Sequence, residues 1–150
     1  MSEQGRVDPR QWGVTGEVRV LPVAVPTAAD AARELGCAVG AIVNSLVFAA
    51  DGAPVLVLAS GAHRVDTTLV AAQLGAAKVR RASPELVHAA TGQRVGGVAP
   101  LGHPRPLPTL VDQHLADYPQ VWAGGGDEYT MFATTYPQLL ALTGGQPLRG

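Results

Sequence analysis

Residues 41–50 are apolar except for Asn44 and Ser45, and the dipeptide Asp51-Gly52 separates them from a second apolar run, Val55-Leu56-Val57-Leu58. Asp-Gly tolerates the positive φ of a two-residue hairpin turn, so the pattern predicts two antiparallel strands joined there. Neither arm alternates between apolar and polar residues. Strands of that kind bury both faces, which puts the hairpin at the middle of a sheet with other elements packed against it. Asn44 then lies on or beside a buried strand, where an amide side chain needs a partner.

The remaining sequence supplies the covering elements. Residues 1–16 are polar and glycine-containing and read as a mobile lead-in, with a single domain over residues 17–150. Val18, Val20 and Val23 suggest a short strand ending near Pro22. Thr27 is placed to cap a helix in which Ala28, Ala31, Ala32 and Leu35 recur at helical spacing and Gly36 is the stop. A second helix runs from the cap Asp66 to Leu74 and Gly75, followed by a strand at Val79. Ser83-Pro84-Glu85 opens a third with cap, N1 proline and early acid, and Gly92 closes it. Strands are expected over 107–112, 121–123 and 129–133, with Gly124-Gly125-Gly126-Asp127 as a turn. Thr135-Tyr136-Pro137-Gln138 opens a last helix that Gly144-Gly145 ends. Hairpins mixed with interspersed helices predict an α+β domain, its sheet mixed, mainly antiparallel and curved or partly closed into a barrel, with flanking helices.

Several function classes drop out on composition. The formal charge of −1 argues against a protein that gains affinity by neutralising many phosphates of a duplex. Lys78, Arg80 and Arg81 form the densest basic cluster and read as a solvated face. The apolar runs are interrupted too often to cross a bilayer, and the polar start lacks a signal-peptide pattern, so the expected location is cytoplasmic. Cys37 is the one cysteine and reads as small, buried and inert. His63, His88, His103 and His114 show no metal-ligand spacing, so no metal and no cofactor are expected. His88 falls on the exposed side of its helix, while Asp112 and His114 share a strand face at two-residue spacing. There is no Gly-x-Ser-x-Gly elbow, and Ser60 reads as a turn residue. Neither a Walker sequence nor a Gly-x-Gly-x-x-Gly opening a helix is present.

What survives is the run Val95-Gly96-Gly97-Val98-Ala99-Pro100-Leu101-Gly102-His103-Pro104. Glycine admits close backbone approach and proline fixes φ, so this run can form a loop that presents amide groups to a ligand. It joins Asn44, Ser45, His63, Arg64, His103 and Asp112 as the candidate site.

Taken in order, Ile42-Val43-Asn44-Ser45-Leu46-Val47-Phe48, Val57-Leu58-Ala59-Ser60-Gly61, Arg64-Val65-Asp66, Ala82-Ser83-Pro84-Glu85, Thr91-Gly92, the loop over 96–102 and Val111-Asp112 resemble the YbaK/prolyl-tRNA synthetase-associated editing domain. The resemblance covers roughly residues 18–143 and suggests a free-standing member. It implies a trans-acting deacylase that hydrolyses the ester of a mischarged aminoacyl-tRNA, cysteine or alanine on the proline tRNA in the usual case. The partners it implies are the acceptor end of aminoacyl-tRNA and an aminoacyl-tRNA synthetase. In that picture Gly96, Gly97 and Pro100 carry catalysis, backbone amides of the loop meeting the aminoacyl carbonyl while the terminal ribose hydroxyl helps activate water. Asn44, Ser45, His63, Arg64, Gly102, His103 and Asp112 bind substrate. The family usually has lysine where this chain has Asn44, and asparagine keeps hydrogen bonding without the charge. Two alternatives follow from the residues: a non-catalytic module that binds a tRNA 3′ end, an aminoacyl nucleotide or a protein partner, and a small-ester or amide hydrolase with His103 or His63 as base.

Overall fold

The computed structural model describes residues 8–93 and 98–148. The hairpin lies at its centre: β2 (Ile42–Ala50) and β3 (Ala53–Ser60) pair antiparallel, with Val43 opposite Ser60 at one end and Ala50 opposite Ala53 at the other. Asp51 and Gly52 take φ of 49° and 87°, as a two-residue turn between right-twisted strands requires. The Asp51 carboxylate accepts from the N–H groups of Ala77 and Lys78, and those two bonds hold its pKa below the usual carboxylate range.

Around the hairpin the chain adds β1 (Val18–Val20), α1 (Ala28–Leu35), α2 (Thr67–Leu74), β4 (Val79–Arg81), α3 (Pro84–Thr91) and β5 (Thr109–Asp112). It continues with β6 (Val121–Gly124), β7 (Thr130–Thr134), α4 (Tyr136–Thr143) and β8 (Gln146–Leu148). The sheet order is β1-β7-β6-β2-β3-β5-β8, with β4 added to the far half of β2. β2 meets β3 and β4 antiparallel, as β7 meets β1 and β6. The pairs β2–β6, β3–β5 and β5–β8 are parallel. This is the expected α+β class with a mixed sheet, and the sheet is not closed into a barrel.

The helices form where their caps predict them. Thr27, Asp66, Ser83 and Thr135 each accept a backbone N–H of the first turn, and Gly36, Gly75, Gly92 and Gly144 follow the last. Both faces of the hairpin are covered. Val43, Val47, Leu56 and Leu58 pack with Val87, Val121, Phe132 and Leu139 on one side, while Phe48, Val55 and Val57 pack with Val70 and Leu110 on the other. Leu56, Val57 and Leu58 are wholly excluded from solvent, and burial of each side chain is worth about 1.5–3 kcal/mol. Helix α1 closes a third cluster, setting Ala31 and Ala32 against Ile42, Trp122 and Met131.

Some elements differ from the sequence expectation. β8 follows the glycine pair and contains Pro147, which the outermost strand of a sheet tolerates because one of its edges needs no donor. β5 starts at Thr109, immediately after Pro106 and Pro108, which have no N–H to give a ladder. The lead-in is packed from Asp8 onward. Asp8 caps a 3-10 helix, Pro9–Trp12, Pro9 is buried, and the Trp12 ring meets Phe132 edge-on at 6.4 Å. No helix among the described residues is long and apolar enough to cross a membrane.

Candidate functional site

Opposite β3, the free edge of β2 is shared by two strands. β6 pairs with Ile42 and Val43, and β4 pairs with Phe48, Ala49 and Ala50. Among the described residues no strand pairs with residues 44–47 on that edge; beside them the Ala82 N–H donates to the Val47 carbonyl at 3.1 Å. A cavity of about 270 Å³ opens here. Ala28 and Ala31 of α1, Ile42 and Met131 make an apolar wall, while Asn44, Ser45, Arg81, Val98 and Gly124 bring the polar groups and backbone. Arg81 is the single charged residue among its described lining, and the Arg81 guanidinium lies 5.6 Å from the centre of the Phe48 ring. Lys78, Arg80 and Arg81 are all exposed, as a solvated face requires, and Arg81 also lines the pocket. Asn44 and Ser45 are half-buried, yet the Ser45 hydroxyl is fully buried with no hydrogen-bond partner. Buried hydroxyls almost always have one.

The glycine loop reaches the pocket through Val98. A methyl group at Gly124 would stand 3.1 Å from the Val98 carbonyl oxygen, so the absence of a side chain there lets the loop lie close against β6. Gly96 and Gly97 lie outside the described residues. Beyond Val98 the loop is tied down by side chains: the Ala99 N–H donates to Gln93 Oε1 at 2.8 Å, and His103 Nε2 lies 2.8 Å from the Ala99 carbonyl. A carbonyl only accepts, so Nε2 carries the proton. Burial, opposed by this bond, lowers the His103 pKa. Pro100 is completely buried. Gly102, at φ +84°, lies against the Trp12 indole so closely that any side chain there would overlap it.

His63, Arg64 and Asp112 gather elsewhere. With Asp66, His114 and Leu148 they line a second hollow of about 90 Å³. Asp112 ends β5 and caps the following 3-10 helix rather than sharing a strand face with His114. Its Oδ1 accepts from His114 N at 2.9 Å and contacts His114 Nδ1 at 2.8 Å, while Oδ2 accepts from Ser60 N at 3.0 Å. Burial alone would raise the Asp112 pKa, but the backbone N–H groups of His114 and Ser60 and the His114 ring outweigh it, so the carboxyl lies below its usual range. The His63 ring stacks on His114 with centroids 3.7 Å apart and planes at 18°. Ser60 is no turn residue: it ends β3 fully buried, and its hydroxyl donates to the Gly40 carbonyl at 2.7 Å. Cys37 is half-buried, and desolvation pushes its thiol pKa up. Among the described residues no three His, Cys, Asp or Glu side chains converge as a metal site.

The chain as a whole has known counterparts. Residues 23–142 match the aminoacyl-tRNA editing domain. The chain belongs to that family. This editing domain is 32% identical over 110 residues to the proline–tRNA ligase of Levilactobacillus brevis, covering 73% of the chain and 19% of the ligase. It thus spans about a fifth of the ligases it matches. An uncharacterised Bacillus subtilis protein, YwhH, is 28% identical over 130 residues, covering 86% of this editing domain and 82% of YwhH. A crystal structure of a candidate trans-editing enzyme for prolyl tRNA synthetase superposes with a TM-score of 0.86 at 40% identity, covering 95% of this chain and 92% of that one.

The sequence candidates of this editing domain therefore divide into three places. Asn44 and Ser45 share the larger pocket with the start of the described loop, Gly102 and His103 lie farther along the loop against Trp12 and Ala99, and His63, Arg64 and Asp112 line the second hollow. Sequence reasoning missed Trp12, Gln93 and Gly124 as supports of the loop, and it paired His114 with Asp112 on a strand face rather than through the cap of a 3-10 helix. Only Gly124 carried a local signal, as the first of three glycines, and that signal suggested a turn.

Proposed function

We propose that this chain is a trans-acting aminoacyl-tRNA deacylase that hydrolyses the ester of a mischarged tRNA in the pocket between β2 and the glycine loop. The observation that supports this most is the meeting of Asn44 and Ser45 with Val98 at one cavity, because two motifs far apart in sequence line the same space. Its volume of about 270 Å³ suits an aminoacyl group and part of a ribose rather than a large ligand. Water adds to the acyl carbon, the ester C–O bond breaks, and the products are a free amino acid and the terminal ribose hydroxyl. In this reading the loop's other backbone N–H groups serve the developing oxyanion, since the Ala99 N–H is already committed to Gln93. Substrate-assisted activation of water by the ribose needs no side-chain nucleophile. Cys37 with its raised pKa and Ser60 with its hydroxyl on Gly40 are poor candidates for one.

In this reading Asn44 hydrogen-bonds the terminal nucleotide where a lysine would add charge, and Arg81 supplies the cation on the same wall. The family association points to the acceptor end of a tRNA as partner and to a role beside prolyl-tRNA synthetase. Asn44 also favours a second reading, a module that binds the acceptor end without turnover. A panel of mischarged tRNAs incubated with native protein and with Asn44→Lys separates the two. Deacylation by the native protein, about tenfold faster in the variant, is expected, tenfold corresponding to about 1.4 kcal/mol of transition-state binding. Esters bound and left intact by both proteins would favour the binding module. Hydrolysis through His103 as base is disfavoured because His103 is not among the described residues that line the pocket.

A further inference from the structure

The interruption in pairing along β2 has a defined hydrogen-bonding character. The Gly61 N–H donates to the Ile42 carbonyl, so Ile42, Asn44, Leu46 and Phe48 direct their backbone groups toward β3 and the alternate residues direct theirs the other way. Val43 uses that edge to pair with β6, and Val47 accepts from Ala82. Ser45 stands between them. By the same alternation its N–H and C=O point to the edge where the cavity lies, no strand among the described residues pairs with them there, and its buried hydroxyl has no partner among the described residues. One residue thus presents a donor, an acceptor and a second acceptor at the wall of a site, where unpaired backbone groups are costly unless a ligand or water meets them.

Resting on the deacylase reading, we infer that Ser45 clamps the aminoacyl unit of the substrate as a one-residue strand partner. The ligand's α-amine donates to the Ser45 carbonyl and Oγ, while the Ser45 N–H donates to the acyl carbonyl oxygen. This is the two-bond exchange of a hydrogen-bonded pair in an antiparallel sheet. An α-amino acid has donor and acceptor at the spacing of a residue, so it fits. A peptide does not. The unpaired stretch of four residues is about 13 Å long, and β6 and β4 close it at its two ends, so an extended chain pairing with Ser45 would run into them. No carboxylate lines the pocket among the described residues, so the amine is recognised by neutral oxygens rather than by an ion pair. The selectivity is for a free α-amine: an α-hydroxyacyl ester or an N-acetylated one offers one donor in place of two or three.

The test uses the full chain labelled with ¹⁵N and two non-hydrolysable probes, 3′-alanylamino-3′-deoxyadenosine and its propionyl counterpart, alongside deacylation of alanyl-tRNA and of lactyl-tRNA made from it. The expected result is a downfield shift of the Ser45 amide proton with the alanyl probe and about tenfold weaker binding of the propionyl probe. Lactyl-tRNA should be cleaved at least tenfold more slowly than alanyl-tRNA, and Ser45→Ala should weaken the alanyl probe several-fold through loss of Oγ alone. Equal affinity for the two probes, an unmoved Ser45 amide or no binding of either probe overturns the clamp. Deacylation that proceeds equally on alanyl and lactyl esters leaves the deacylase and removes the clamp. A Ser45 response in a protein that leaves alanyl-tRNA intact does the reverse.

Discussion

Replacing Gly102 with valine will unfold the protein at markedly lower denaturant and will release the glycine loop from its support. Gly102 has φ +84°, a conformation that a β-branched residue adopts only under strain, and a side chain there overlaps the Trp12 indole. Strain of about 1–2 kcal/mol and partial loss of Trp12 packing together should cost about 2–4 kcal/mol. For a chain of this length that corresponds to a fall in melting temperature of about 5–15 °C. Gly102→Ala combined with Trp12→Ala should cost less than the sum of the single changes, since removing the indole removes the overlap and leaves only the backbone strain. Tryptophan fluorescence during urea unfolding reads both effects, because Trp12 packs edge-on against Phe132 and loses that environment when displaced. Strict additivity in this cycle would contradict the proposed contact.

Asp112→Ala should be at least as damaging, and its effect should depend on pH. The carboxylate satisfies the N–H groups of Ser60 and His114, one of them at the end of the central hairpin, and its removal leaves both without their acceptor in a buried place. A loss of about 3 kcal/mol is expected near neutral pH. The Asp112 pKa is depressed in the folded protein, so the unfolded chain binds its proton first as pH falls. The stabilisation is therefore fully present above the unfolded value of about 3.9 and disappears as pH drops through the lower folded value. Urea midpoints of native and variant protein should differ by a constant amount from pH 5 to 7 and approach one another below about pH 4. A difference that grows on acidification would mean that Asp112 is protonated in the native state.

Features written in contiguous residues were legible in the sequence. Thr27, Asp66, Ser83 and Thr135 cap helices because a short polar side chain before an apolar-periodic run has few better partners than the first-turn N–H groups. Asp51-Gly52 sets the register of the central strands for a similar reason: two residues at positive φ leave the chain one way to turn. β8 was not legible. Its sequence, Gln146-Pro147-Leu148, has no strand pattern, and it forms because β5 offers a parallel partner and Gln73 of α2 donates to the Pro147 carbonyl.

The candidate site was legible by motif but not by position. Asn44, Ser45 and the glycine loop were singled out, and β2 and Val98 do meet at the pocket. The grouping of His63, Arg64 and Asp112 into another hollow depends on how β3 and β5 align, a parallel pairing that no local pattern announces. The role of Arg81 was hidden in the same way: it is exposed like Arg80 and Lys78, and only the pairing of β4 with β2 brings it to the lining of the cavity. The orphaned Ser45 hydroxyl and the interruption between β6 and β4 are properties of the assembled sheet alone.

The most direct test of the account is single-turnover hydrolysis, with protein in excess over mischarged alanyl- or cysteinyl-tRNA, comparing native protein with Gly96→Val. The native chain should release amino acid well above the spontaneous rate, and the variant should lose at least a hundredfold of that activity, as when backbone donors to an oxyanion are displaced. Release no faster than spontaneous hydrolysis by native protein that binds the tRNA, or full activity in Gly96→Val, would contradict it.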